Sequence, residues 1–166
     1  MHMHPQLYTV LSRRDEHEEV FDVLPDMRLT AITKTVFDLR QQLRLWSIGL
    51  DEQRVRERIG LLRETLHRLL CETRLAGFEA HGSAVLLVLE QLPPLQRLGF
   101  LPGGMLQALY EWSRLFLASL ADRTDARHAA MLIRHLGDRR WDRPASLAER
   151  RNLLASMVLE AFADEL

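Results

Sequence analysis

Leu29, Ile32, Val36, Leu39, Leu43, Trp46 and Leu50 follow one another at alternating steps of three and four residues. That spacing lays one unbroken apolar seam along a helix and into its closing turn. A seam this long is not stable facing water, so it requires a partner helix. Val55, Ile59, Leu62, Leu66 and Leu69 repeat the alternation after a short break over residues 47–51. Two matched helices joined by so short a link fold back antiparallel, which sets Leu39 near Leu62, Ile32 near Leu69 and Trp46 near Val55.

The rest of the chain is punctuated as further helices. Pro25 and Asp26 suit a first helical turn, so residues 1–25 are expected to form an N-terminal arm and residues 26–166 a single-domain helical bundle. The first long helix is expected to run to about Ile48 with Gly49 as its stop, and the second to begin at an Asp51 N-cap. Gly60, beside the seam, marks a close helix contact. Gly77 and Gly82 read as bracketing a turn, after which residues 84–89 are apolar on every side and belong in the interior. Pro93 and Pro94 end that helix. Leu95, Leu98, Phe100 and Leu101 then form an apolar connector closed by Pro102, Gly103 and Gly104.

A fourth helix from about Met105 carries the stripe Met105, Leu109, Trp112 and Phe116. A fifth starts at Thr124 or Asp125, stops at Gly137, and turns Ala129, Leu132, Ile133 and Leu136 inward. A sixth opens with the capping box Ser146 and Glu149, and carries the ridge Leu154, Val158 and Phe162 beside Leu153, Met157 and Ala161. No strand-length alternation, hairpin dipeptide or repeat occurs, so the expected fold is all-α: about six helices built on one long antiparallel hairpin.

A chain of 166 residues holds one sizeable core. Net charge of −1 argues against wholesale nucleic-acid binding, and no apolar run reaches the roughly 20 residues that cross a bilayer. The opening MHMHPQLY lacks the apolar core of a signal peptide, and a lone cysteine, Cys71, suits a reducing compartment; a cytoplasmic location is the expectation. Lys34 is the single lysine among 22 basic residues, a bias that points to a GC-rich bacterial genome.

Candidate chemistry is sparse. Glu64, His67 and Cys71 share one helix face and are ligand types, but one such face falls short of the paired motifs of a di-metal bundle, and Cys71 reads better as a small buried hydrophobe. His128 and His135, seven apart on one helix, read as half-exposed surface residues, with Asp125 spent on the helix start. Pro102, Gly103 and Gly104 before a helix lack the residues of a phosphate loop. No catalytic, cofactor or metal residue is assigned.

The segment Asp138 to Arg143 places Arg139, Arg140 and Arg143 around Trp141, residue types that dominate protein interfaces. These four are the expected partner-binding residues, unless Trp141 tucks into the bundle. Six acids between Asp15 and Asp26 make the N-terminal arm an internal competitor for the arginines. Phe37, Leu45 and Ile48 lie off the main seam and are the expected contacts of a homodimer. Three function classes follow. The leading one is a non-enzymatic protein-contact module, an adaptor, chaperone or regulatory subunit of a secretion or signalling system. The others are a helical small-molecule sensor with a pocket under residues 93–104, and a metalloprotein or enzyme on the Glu64, His67 and Cys71 face.

Overall fold

The computed structural model describes residues 23–163, with side chains from Met27 onward. The described residues form seven helices: α1 (Val23–Arg44), α2 (Glu52–Leu75), α3 (Glu79–Leu89), α4 (Leu92–Leu98), α5 (Gly103–Ala121), α6 (Ala126–His135) and α7 (Leu147–Ala163). The expected N-terminal arm lies outside the described residues, save residues 23–25, which already belong to α1. The fold is all-α, and no described helix is long and apolar enough to cross a membrane.

Each seam is buried where its period puts it. Ile32, Val36, Leu39, Ile59, Leu62, Leu66 and Leu69 have no exposed surface, and α1 packs directly on α2. Three polar rungs fix the direction: Thr35 donates to Glu72 Oε2 at 2.7 Å, Arg68 to Asp38 Oδ2 at 2.8 Å and Gln42 to Thr65 Oγ1 at 2.7 Å. Each turn climbed on α1 is matched by a turn descended on α2, so the pair is antiparallel. Trp46 and Leu50 stay half-buried against the core.

α1 ends at Arg44, before the expected Ile48. Leu45 N–H still reaches Gln41 O at 3.0 Å, but Trp46 N–H closes the shorter loop to Leu43 O, and Gly49 with φ of +88° reverses the chain. α2 opens at its expected cap, where Asp51 Oδ1 accepts from Arg54 N–H at 2.8 Å. Gly60 is tight as expected, because a Cβ there would stand 3.0 Å from Gln96 Nε2.

Beyond the hairpin the remaining helices close a ring. α2 packs on α3, α3 on α7, α7 on α6, α6 on α5, and α5 returns to α1, while α4 caps α2 and α3. The stripe Met105, Leu109, Trp112 and Phe116 is wholly buried inside it, with Ala129, Leu132, Ile133 and Leu136 of α6 and its C-cap.

Three expectations are corrected. Gly82 lies within α3, where a Cβ would stand 3.1 Å from Arg74 Cγ. Pro93 and Pro94 start α4, in whose first turn their absent N–H groups are no loss. Gly99, φ +65°, then closes α4, with Phe100 N–H bonding Leu95 O. On α7 only Leu153 and Met157 are buried, and Phe162 is 63 % exposed, because this outermost helix rests on α3 and α6 along one narrow stripe.

Leu39 sits at the centre of the seam, so truncation leaves a cavity that rigid helices on both sides cannot fill. Leu39→Ala should lower the unfolding free energy by about 2 to 5 kcal/mol in urea titrations; a loss under about 0.5 kcal/mol would place this side chain outside the core.

Candidate functional site

The segment expected to carry partner contacts is knotted into the fold. Trp141 is 2 % exposed, its indole N–H donates to His135 O at 2.8 Å, and its ring meets the His135 ring edge-on at 5.6 Å. Arg140 donates to Glu111 at 3.0 and 2.5 Å, and to both Asp138 oxygens at 3.0 and 3.1 Å. His135 Nε2 lies 3.2 Å from Glu111. The Arg140 hydrogen bonds hold the Asp138 carboxyl at about 2 and draw Glu111 below the usual carboxylate range. Burial lowers His135, and Glu111 only partly offsets it.

This knot pins the link between α6 and α7 to α5. Of the two readings of Trp141, partner contact and a tuck into the bundle, the structure has the second: the one apolar side chain of a polar turn is buried, with its N–H satisfied by His135 O. Of the four expected partner residues, Arg139 and Arg143 are exposed, while Arg140 and Trp141 serve internal contacts. Among the described residues the carboxylates on Arg140 are those of Glu111 and Asp138; the acidic side chains between Asp15 and Asp26 lie outside them. His135, expected on the surface, keeps only 8 % of its side chain exposed.

The Glu64, His67 and Cys71 face points wholly to solvent. Cys71 is therefore not the buried hydrophobe its type suggested; it lies on the side of α2 away from the seam. A ligand-type group that the sequence did not single out is Asp122, Asp125 and His128, whose donor atoms lie within 4.8 Å of one another. Asp125 is already engaged there, capping α6 through Arg127 N–H at 3.0 Å and pairing with the Arg127 guanidinium at 2.9 Å. Those bonds hold its carboxyl at about 2.

His81 and Ser119 are 3.0 Å apart in the core where α3 meets α5. The pairing resembles a base and a nucleophile, but its proton runs the other way. Ser119 Oγ lies 2.8 Å from Phe116 O, and two oxygens that close need a proton between them. The serine hydroxyl thus donates to the carbonyl, His81 Nε2–H donates to Ser119, and His81 Nδ1 has no partner among the described residues. Burial, aided by the Arg123 charge, lowers His81 to about 3. Beside it, Arg123, Met157, Val158 and Phe162 help line a cavity of about 60 Å³. A site for a drug-sized ligand needs roughly 300 to 1,000 Å³, and this cavity lies at the opposite end of α5 from residues 93–104.

Two surface features stand out from this tightly bonded interior. The first is an apolar end. Leu45 (59 % exposed) and Ile48 (106 %) follow α1, and Leu98 (66 %) and Phe100 (60 %) flank the end of α4. The two pairs share one end of the bundle, because Gly99 abuts the first residue of α2, with Glu52 Cβ 3.1 Å from where its own Cβ would be. Phe37, expected beside Leu45 and Ile48, is half-buried along α1.

The second is a basic clasp where α1 meets α5. The Arg40 guanidinium lies 4.1 Å from the Tyr110 ring centre and donates to Ser113 Oγ at 2.9 Å and Tyr110 O at 3.3 Å. Arg44 donates to the Tyr110 phenol oxygen through Nε at 3.0 Å and through its terminal nitrogen at 2.9 Å. Arg114 lies one turn beyond Tyr110. Burial lowers Arg40, and the Arg44 and Arg114 charges add to that. Burial raises the Tyr110 phenol, but the Arg44 bond and the charges of Arg40 and Arg44 outweigh it, leaving the phenol below its usual range. Sequence reasoning missed this group because its halves lie about 70 residues apart. The local signal was present as two pairs at i,i+4, Arg40 with Arg44 and Tyr110 with Arg114.

Comparison with known protein families, curated proteins and solved structures finds no match to this chain.

His81 makes folding depend on pH with a definite sign. A histidine at about 3 when folded and near 6.5 when unfolded stabilises the fold above pH 6.5, and that contribution is lost as pH falls toward 3. Between pH 6 and 4, urea titrations should show the unfolding free energy falling by up to about 1.4 kcal/mol per pH unit more in wild type than in His81→Gln. Equal slopes in the two proteins would mean that His81 titrates normally in the fold.

Proposed function

We propose that this protein is a non-catalytic protein-contact module, an adaptor, chaperone or regulatory subunit, which assembles as a twofold dimer. The observation that carries the reading is the apolar end formed by Leu45, Ile48, Leu98 and Phe100. These side chains are large, lie at one end of the bundle and are uncovered, whereas polar groups elsewhere are drawn into knots and caps. Large apolar side chains left exposed together at one end of a bundle mark a contact site.

A second copy is the occupant that the rim of this end favours. Asp51 and Glu52 lie beside it with Arg54 and Arg97. A twofold contact brings the same patch to both partners, so a rim that carries both signs can satisfy itself, whereas a rim of one sign repels its copy. Phe37, half-buried two turns back along α1, is the weakest of the expected dimer contacts. The exposed Arg139, and Arg143 in a long 3.9 Å pair with Glu90, would serve a further, acidic protein partner.

The other readings have less to rest on. A small-molecule sensor needs more room than the cavity beside His81 gives. A metalloprotein or enzyme on Glu64, His67 and Cys71 needs those groups to converge from several helices, and they lie in solvent on one.

Light scattering should give wild-type protein a mass of twice 19.3 kDa, and the double variant Ile48→Glu, Phe100→Glu a mass of 19.3 kDa with unchanged circular dichroism. A wild-type mass of 19.3 kDa across a wide concentration range would reject the dimer.

A further inference from the structure

The clasp between α1 and α5 holds two guanidinium groups on one phenol, with Arg114 near enough for its charge to act on Arg40. Arg40 and Arg44 are one turn apart on α1, Tyr110 and Arg114 one turn apart on α5, and the antiparallel crossing sets the two pairs face to face. Arg40 and Arg44 are both held on Tyr110, so little side-chain freedom remains to be lost on binding.

What this cluster lacks is a counter-charge. Arg140 has two carboxylates and Arg68 has one, but among the described residues none of Arg40, Arg44 and Arg114 pairs with an acid. Arg40 is half-buried and carries its charge against burial and against the Arg44 and Arg114 charges, with Tyr110 offsetting only part of that. Arg114, exposed on α5, adds a third positive charge to the same field.

Donors remain to be used as well. Arg40 spends one terminal nitrogen on Ser113 and Tyr110 O, and Arg44 spends Nε and one terminal nitrogen on the phenol oxygen. That oxygen accepts from Arg44, so its own O–H points elsewhere. The phenol O–H, the other guanidinium nitrogens and the exposed Arg114 can all donate outward.

We infer that Arg40, Arg44, Tyr110 and Arg114 form a binding site for a dianionic oxyanion of the phosphate class. A single carboxylate is matched by one guanidinium fork, whereas a tetrahedral dianion offers acceptors to several donors approaching from different sides. The ligand is either free phosphate or the phosphoryl group of a small monoester. This site is separate from the apolar end, and its fate does not depend on the dimer.

Titration calorimetry on the whole protein, at constant ionic strength set with chloride, tests it with inorganic phosphate and glycerol phosphate as probes. Saturable one-site binding of phosphate is expected, and tighter binding of glycerol phosphate would assign the site to a monoester. Arg44→Gln and Arg114→Gln should each weaken binding by about tenfold, the loss of one charge-assisted contact. Tyr110→Phe keeps every charge but removes the phenol donor and the Arg44 anchor, and should weaken binding as well. Arg151→Gln on exposed α7 removes the same charge far from the clasp and should leave affinity unchanged. No saturable heat with either probe, or an equal loss in Arg151→Gln, would overturn the inference.

Discussion

Everything in this fold leans on the apolar contact between α1 and α2. Ile32, Val36, Leu39, Ile59, Leu62, Leu66 and Leu69 at its centre have no exposed surface, and each buried leucine or isoleucine contributes about 1.5 to 3 kcal/mol relative to water. The contact is local, joining neighbouring helices through a link over residues 45–51, so the loop-closure cost of forming it is small. The ring is then built outward from α2, which carries α3 and α4 on its other sides, and from α1, which receives α5.

Polar groups do a different job, closing the ring at three of its contacts. At the α3–α7 contact, Glu160 accepts from Ala80 N–H at 2.8 Å, capping α3 from another helix. At the α1–α5 contact Tyr110 gathers two arginines, and between α5 and the α6–α7 link Arg140 ties Glu111 to Asp138. Each joins segments far apart in the chain and fixes one geometry among several that burial alone would accept. The Arg140 knot is fully compensated in charge, whereas the Tyr110 clasp is not, and that difference separates a structural joint from a candidate site.

The parts legible in the sequence were those set by local periodicity and capping. The seam from Leu29 to Leu43, the stripe from Met105 to Phe116, the Asp51 cap and the Ser146 and Glu149 box, whose two bonds are 2.7 and 3.1 Å, need only near neighbours to be read. Helix ends were less legible. Pro93 and Pro94 stop one helix and start the next for the same reason, an absent N–H, and sequence alone favours the stop. The Tyr110 clasp and the Glu111 contacts of His135 and Arg140 depend on partners 24 or more residues away, and no local pattern announces them. The exposure of Cys71 follows from the same limit: a cysteine one step off the buried stripe faces solvent, whatever its preference.

If the hairpin is the foundation of the fold, its amides should open last. Native-state hydrogen exchange read by NMR tests this directly, because the slowest amides exchange only through global unfolding. The account predicts that residues 36–43 of α1 and 59–69 of α2 are the slowest in the chain, with α7 exchanging faster through local opening. Amides of α6 or α7 outlasting those of α1 and α2 would contradict it.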